Sequence, residues 1–511
     1  MFLELEVKKR VNILINSFSF KIRFRSTDDF SHIENIATQY LTTYTSSYDH
    51  RTKRFYKEKD KDYFIIDRIR LEFRFPIGLI SPIMKELGNR GITKEDIFIL
   101  RERGVREEYI QPLDLEDISG MELRDYQKEY VDILTDETKP NMLLVDMATG
   151  GGKGFCLAQS MLKWNMRTAI LLIPAYIEKW ILEFQKYFSI QQEEILVIQG
   201  GDSIRQIFST PSEELKYKIV IISLRTLMNF IQEYQEGDNS YGGTPDELLT
   251  HLGVGLLATD ETHQHYYSVY MALLYLNTKR LIAMSATLET NKKDIQRLYD
   301  IVFPTTKKLS GIYDPGKHVT VVAIDHNYQS IRHLKFKRTM GYDHKFLEQN
   351  ILKRTILLRS YTEMVAYYID KRDPKSDLRD KAMIFFATVD MCTYMTAQLR
   401  DMYPDLDIRR YVGEDPYENV IEPDIVIGTP GGMSTGIDIP GLITVINTVA
   451  MISSQQNIQT LGRLRKRPNR ELYFCYFYTT QLRSHKERRN LYYSRAKHMA
   501  IESYPKMLRM M

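Results

Sequence analysis

The chain has 511 residues, 43% of them hydrophobic and 27% charged. That mix belongs to a folded protein of about three domains and excludes a disordered tail, a collagen-like rod and a disulfide-stapled peptide. The net charge of +4, from 70 Lys+Arg against 66 Asp+Glu, is too mild to establish nucleic-acid binding, so any basic surface must come from local clustering. No run of about 18 uncharged apolar residues is present, so no membrane-spanning helix is expected. The opening alternation of Leu3, Leu5 and Val7 with Glu4, Glu6 and Lys8 reads as a strand and not as a signal peptide. Cys156, Cys392 and Cys475 are the only cysteines and lie far apart. They form neither a zinc motif nor a disulfide framework, and a reducing cytoplasm is the expected compartment.

Residues 1–118 predict a small α+β domain. Strand-like runs at Leu3–Asn16 and Phe18–Phe24 precede a helix with Phe30, Ile33, Ile36, Ala37, Tyr40 and Leu41 on one face. Asp28 or Asp29 is the expected N-cap. A basic run, Arg51–Lys57, holds Lys53 and Arg54. An alternating strand is expected over Tyr63–Phe75, carrying Arg68 and Arg70, and a helix over Leu79–Leu87. The acidic, turn-rich stretch Pro112–Gly120 reads as a linker that few contacts should cross.

From Met121 the texture changes to short apolar strands alternating with helices. The strands are expected at Asn141–Asp146, Thr168–Ile173, Ile195–Ile198, Lys218–Ser223, Val254–Thr259 and Arg280–Met284. A second series follows at Val319–Ile324, Ala382–Phe386, Asp407–Tyr411, Asp424–Gly428, Ile443–Asn447 and Leu472–Phe477. This spacing predicts two tandem α/β domains with parallel sheets, about 119–310 and 311–511, parted near the glycines and proline of Ser310–Lys317. Tyr234–Pro245 reads as a surface insertion, and Arg483–Arg509 as a basic helical segment closing the chain.

The strongest chemical signal is Met147–Gly154, which follows an apolar strand and opens a helix. Thr149, Gly150, Gly151 and Gly152 allow the tight backbone that points successive N–H groups at a phosphate. Lys153 can reach terminal phosphates, and the helix N-terminus adds positive charge. Gly154 departs from the pattern, because Ser or Thr ordinarily supplies a hydroxyl to magnesium there. About a hundred residues on, Asp260 and Glu261 close a buried-type strand at its carboxyl end. Asp260 could hold Mg²⁺ and Glu261 could polarise a water. An isolated Asp-Glu pair is usually a solvated turn; its place after a phosphate loop reverses that reading.

In order along the chain, these motifs resemble those of the superfamily 2 helicases, over roughly residues 119–480. Leu123–Gln127, with Tyr126 and Gln127, resembles the adenine-recognition segment. Ala148–Lys153 resembles motif I, Ile173–Pro174 motif Ia and Ser223–Leu227, with Thr226, motif Ib. Asp260–His263 reads as DExH and Ser285–Thr287 as motif III, and His263, Ser285 and Thr287 would couple hydrolysis to movement. Thr429 with Thr435, Gly436 and Asp438 resembles motif V, and Gln459–Arg463 motif VI. Arg465, Lys466 or Arg467 would be the second arginine-finger position, and the sequence does not choose among them.

The resemblance implies two RecA-like domains that bind ATP and Mg²⁺, with Lys153, Asp260, Glu261, Gln459 and Arg463 as the catalytic set. Thr226, Thr429 and Thr435 would grip a nucleic-acid backbone. Tyr63–Gly91 is similar to the N-terminal DNA-binding domain of phage branched-DNA helicases of the UvsW type, which implies a role on forks, Holliday junctions and R-loops. Lys53, Arg54, Lys57, Arg68 and Arg70 would then meet DNA, with Phe55, Tyr56 and Tyr63 as stacking partners. Branched or single-stranded DNA is the expected partner, and a monomer the expected state. Rival readings are a duplex translocase, an RNA helicase, or a nucleic-acid-binding scaffold whose ATPase has decayed at Gly154.

Overall fold

The computed structural model describes residues 9–49, 51–52, 54–101, 107–147, 150–285, 293–313, 317–338, 341–372, 380–413, 415–433, 439–450, 460–467, 469–488 and 496–510. The chain divides into two compact units, residues 1–147 with 151–313, and residues 148–150 with 314–511. Among the described residues, no helix is long and apolar enough to cross a membrane.

The first unit opens with strands β1 (Val11–Ile15), β2 (Ser19–Phe24), β3 (Thr42–Asp49), β4 (Arg54–Asp62), β5 (Ile65–Asp67), β6 (Glu72–Pro76) and β7 (Ile97–Arg101). Five of them form one sheet in the order β5-β6-β2-β1-β7, while β3 and β4 form a separate antiparallel hairpin. Helix Thr27–Leu41 buries Phe30, Ile33, Ala37 and Leu41 of the expected face, while Ile36 is half-buried and Tyr40, expected with them, is exposed. Its N-cap is Ser26 and not Asp28 or Asp29, because the buried Asp29 carboxylate is taken by Arg10 at 2.8 Å and Arg90 at 3.3 Å. The single strand expected over Tyr63–Phe75 is instead the hairpin β5–β6. The Asp67 carboxylate accepts from the N–H groups of Ile69 and Arg70, and Leu71 at φ +51° completes the turn.

Strands β8 (Met142–Asp146), β9 (Thr168–Leu172), β10 (Ile195–Ile198), β11 (Ile219–Ser223), β12 (Leu256–Thr259), β13 (Arg280–Ser285) and β14 (Lys308–Leu309) follow. They form a parallel sheet in the order β10-β11-β9-β12-β13-β8-β14. Apart from the short edge strand β14, its strands are largely buried and mostly apolar, as in a parallel sheet covered on both faces.

The expected sparse crossing at Pro112–Gly120 is contradicted. One continuous apolar core runs from Phe18, Phe20, Phe73 and Phe75 at the N-terminal sheet to Leu257 and Leu281 of the parallel one and Tyr270 of the helix beside it. Helix Tyr266–Leu273 explains why. Its sequence, YYSVYMAL, has no polar face, so it needs cover on both sides. The N-terminal domain supplies the second cover: Tyr63 meets Tyr270 edge-on at 5.0 Å and Tyr267 at 5.1 Å. Arg74, buried, pairs bidentately with Asp246 at 2.8 Å and lies 4.0 Å over the Tyr275 ring. Tyr63 is therefore a core residue and not a stacking platform.

The second unit holds β15 (Val319–Asp325), a small hairpin of β16 (Lys337–Arg338) with β17 (Gly341–Tyr342), then β18 (Lys381–Phe385), β19 (Ile408–Tyr411), β20 (Ile425–Gly428), β21 (Leu442–Asn447), β22 (Leu472–Tyr478) and β23 (His498–Ser503). The large sheet is parallel in the order β19-β20-β18-β21-β22-β15-β23. The closing segment was expected to be helical. Among its described residues Arg483–Arg488 is helical, while His498–Ser503 is an edge strand alongside β15. That pairing satisfies the outer N–H and C=O groups of β15, which a helix there would have left without a ladder partner.

Candidate nucleotide and nucleic-acid sites

In the first unit the carboxyl ends of β8, β12 and β13 bring Lys153, Asp260, Glu261, His263 and Ser285 together. Gly152, at φ +88°, stands just before helix Lys153–Trp164, a conformation open to glycine at no steric cost. A Cβ there would collide with the Gln127 amide. Tyr126 and Gln127, expected at adenine, both turn to the loop: the tyrosine hydroxyl and the Gln127 amide each donate to the Gly151 carbonyl at 3.0 Å. Gly151 itself lies so close to Met147 that a Cβ would come 2.5 Å from its Sδ and 2.6 Å from its Cγ.

The Lys153 ammonium is buried and makes no hydrogen bond to any described residue; Glu261 stands 3.9 Å away. Glu261 has φ +44°, an uncommon backbone for a non-glycine residue, which costs of order 1–3 kcal/mol. Its N–H donates to the Asp260 carboxylate at 2.8 Å. The other Asp260 oxygen accepts from Trp180 Nε1 at 3.0 Å. Burial first, and then neighbouring Glu261, pushes the Asp260 carboxyl above its ordinary pKa. His263 is buried and its Nδ1 pairs with the Ser285 hydroxyl at 2.9 Å, tying the DExH turn to the end of β13. Burial lowers the His263 pKa, so the ring is held toward its neutral form.

Two residues absent from the sequence reading belong to this corner. Trp180 and Glu183 sit on helix Ile177–Tyr187, one turn apart. Glu183 is mostly buried, which raises its carboxyl pKa, while Lys179 3.8 Å away opposes the rise. Trp180 was legible as one of only two tryptophans, placed just after motif Ia. Glu183 carried no motif signal.

Gly154 has ordinary helical geometry; it is not among the positive-φ glycines. Thr226 is buried and its hydroxyl accepts from the Gly200 N–H at 2.9 Å, while its neighbour Arg225 is exposed. Arg54 lies on the exposed β3–β4 hairpin, and Arg68 and Arg70 at the exposed β5–β6 turn. Register on the hairpin puts Phe55, Lys57 and Lys59 opposite Tyr48, Ser46 and Tyr44, on one face. Arg54, Tyr56 and Glu58 alternate to the other face. Arg68 and Arg70 line a cavity of about 940 Å³ with Lys59, Lys61 and Tyr267.

In the second unit, Thr429 caps the short turn Pro430–Met433, its hydroxyl accepting from the Gly432 N–H at 3.4 Å. Arg463 is buried, Arg465 half-buried and Lys466 exposed. Lys53, Thr149, Thr287, Thr435, Gly436, Asp438 and Gln459 lie outside the described residues. The carboxyl ends of this sheet are braced by a buried carboxylate. Glu348 accepts from the N–H groups of Ala387 and Thr388 at 2.7 and 2.8 Å and from the Thr388 hydroxyl at 2.9 Å. The Tyr342 hydroxyl bridges His344 Nδ1 at 2.6 Å and His485 Nε2 at 2.5 Å.

Two tandem parallel sheets, a glycine loop with a buried lysine ammonium and a DExH turn together resemble the arrangement of superfamily 2 helicases. Residues 120–290 match the family model described as Type III restriction enzyme, res subunit. Among solved structures, the chain is similar to T4 UvsW, at 14% identity and TM-score 0.34, covering 97% of this chain and 99% of that one. It is also similar to S. cerevisiae Dbp5 bound to RNA and ADP BeF3, at 14% identity and TM-score 0.48, over 74% of this chain and 89% of that one. The Pyrococcus furiosus Hef helicase domain matches at 14% identity and TM-score 0.41, over 71% and 97%. No curated protein matches the sequence.

Proposed function

We propose that this protein hydrolyses ATP at the end of the first parallel sheet and uses it to move along DNA and to unwind or branch-migrate forks, Holliday junctions and R-loops. The observation that carries the reading is the Lys153 ammonium, buried beside a glycine loop with no hydrogen-bond partner among the described residues. Glu261 faces it only at ion-pair distance, 3.9 Å, so the ammonium's N–H donors are left for a closer anion, and a terminal phosphate is the anion such a loop takes. Gly150–Lys153 would cradle the phosphates, and Glu261, fixed against Asp260 by its own N–H, would orient the attacking water. The donor set is all hard oxygen, which fits Mg²⁺; bound at Asp260, the ion would neutralise phosphate charge. The roles that the resemblance gives Gln459, Arg463, Thr429 and Thr435 form part of the same proposal.

For DNA, the β3–β4 hairpin supplies a face with two lysines and three aromatics, its glutamate turned to the other side. Exposed aromatics between lysines suit bases and phosphates of a strand held without sequence preference. A place in phage replication, recombination and repair follows from the N-terminal resemblance and is proposed with it. The test is strand displacement on fork, four-way and blunt duplex substrates made of DNA and of RNA. Preference for branched DNA is expected. Displacement of RNA alone would favour an RNA helicase, and ATP turnover without displacement a duplex translocase.

A further inference from the structure

The phosphate loop lacks the hydroxyl that ordinarily follows its lysine, and the structure shows what stands in that space. A Cβ built on Gly154 would lie 2.6 Å from Glu183 Oε2 and 3.5 Å from Trp180 Cη2. A carboxylate oxygen therefore occupies the place from which a serine or threonine side chain would extend. Gly154 has helical backbone angles, so no conformational demand explains the glycine. The missing side chain is explained by the neighbour: glycine leaves room for Glu183.

Glu183 is held there. It lies on helix Ile177–Tyr187, whose Trp180 donates to Asp260 at 3.0 Å. Lys179 stands 3.8 Å from its other oxygen, and Tyr187, one turn on along the same helix, interacts electrostatically with the same carboxylate. The tryptophan thus spans from Asp260 to the space beside Gly154, with Glu183 one turn further along the helix. Across from them, the buried Lys153 ammonium marks where phosphate charge would lie.

We infer that Glu183 replaces the missing hydroxyl in holding the divalent cation that accompanies ATP, directly or through one of the ion's waters. This rests on the ATP-site reading above. Among the described residues no three His, Cys, Asp or Glu side chains gather into a metal cage. None is needed, because Mg²⁺ at a nucleotide site takes one or two carboxylates, with phosphate oxygens and waters completing the shell. Exchanging a neutral hydroxyl for a carboxylate adds negative charge at the ion, so nucleotide binding should depend more steeply on the cation than a hydroxyl site would. Without the ion, Glu183 and Asp260 would repel the phosphates.

The test titrates MgCl₂ into the full-length protein with a fluorescent N-methylanthraniloyl ATP and reads binding, not turnover. Both Glu183→Ala and the isosteric Glu183→Gln are expected to need about tenfold more Mg²⁺ for half-maximal binding, while binding in EDTA is unchanged or tighter. In the Gly154→Ser/Glu183→Ala double variant the serine has room, and the Mg²⁺ requirement should return toward that of the parent protein. An unaltered Mg²⁺ requirement in Glu183→Gln would overturn the inference and leave the ATP site standing. Failure of the serine to restore it would also overturn the inference, by moving Glu183's effect elsewhere. No binding by the parent protein at any Mg²⁺ concentration would overturn both.

Discussion

The two large sheets of this protein have the same strand order, and they use their carboxyl ends differently. In the second sheet the loops after β18 and β21 are tied to helix His344–Leu352, and the loop after β22 is tied to the residues after β15. Glu348 takes the N–H groups that follow β18, the Ala450 N–H after β21 donates to His344, and Gln481 after β22 exchanges two hydrogen bonds with Tyr328. In the first sheet the corresponding ends surround a buried lysine with no hydrogen-bond partner, a strained glutamate and a glycine whose missing side chain makes way for a carboxylate. Among the described residues, the same topology thus gives carboxyl-end loops tied by side-chain hydrogen bonds in one sheet and, in the other, a lysine ammonium that makes none. A buried ammonium whose N–H donors make no hydrogen bond is costly, so it points to a ligand.

The comparison can be broken most directly at Lys153. Lys153→Ala should abolish ATP turnover while the protein remains folded, because no described hydrogen bond of the ammonium is lost. Wild-type-like turnover would remove the phosphate site from the first sheet. Glu261→Gln should still bind ATP, with turnover down ~10²–10⁴-fold in steady-state assays. A loss of less than about tenfold would move the water-positioning role to another group.

The closed sheet should respond in stability and not in ligand binding. Glu348→Ala strips a buried acceptor from two backbone N–H groups and a hydroxyl, and should cost about 2–4 kcal/mol in denaturant unfolding. A loss under about 0.5 kcal/mol would show that this end is not braced as described. The same kind of measurement sharpens the N-terminal junction. Arg74→Ala leaves Asp246 without its bidentate partner and should cost about 3 kcal/mol. Removal of residues 1–118 should yield an aggregating protein, read by light scattering, because helix Tyr266–Leu273 loses its second cover. A monodisperse truncated motor would contradict the shared core.

Much of this was legible in the chain. Twelve parallel strands announced themselves as β-branched or leucine-rich runs, because strands covered on both faces must be apolar throughout. The two strands missed in the parallel sheets, Lys308–Leu309 and His498–Ser503, are edge strands, one very short and one half-polar, and neither carries that signature. Lys153, Asp260 and Glu261 were readable from local order alone, since each follows its own strand. Glu183 was not, because its meaning lies in a side chain absent 29 positions earlier, at Gly154, and only the fold brings the two together. The junction at Pro112–Gly120 misled for a related reason. Turn residues and acidity mark a flexible crossing, yet the contacts that bridge it come from Tyr63 and Arg74, far away in sequence. The all-apolar run Tyr266–Leu276 was the available signal that a second domain had to cover that helix.

The most direct test of a ligand-shaped end on the first sheet is ATP hydrolysis by the full-length protein, measured with single-stranded, duplex, fork and four-way DNA and with no nucleic acid. The expected result is Mg²⁺-dependent turnover that DNA stimulates, most strongly when branched, and that Lys153→Ala eliminates. Absence of turnover with every one of these substrates would contradict the motor reading and leave a nucleic-acid-binding scaffold in its place.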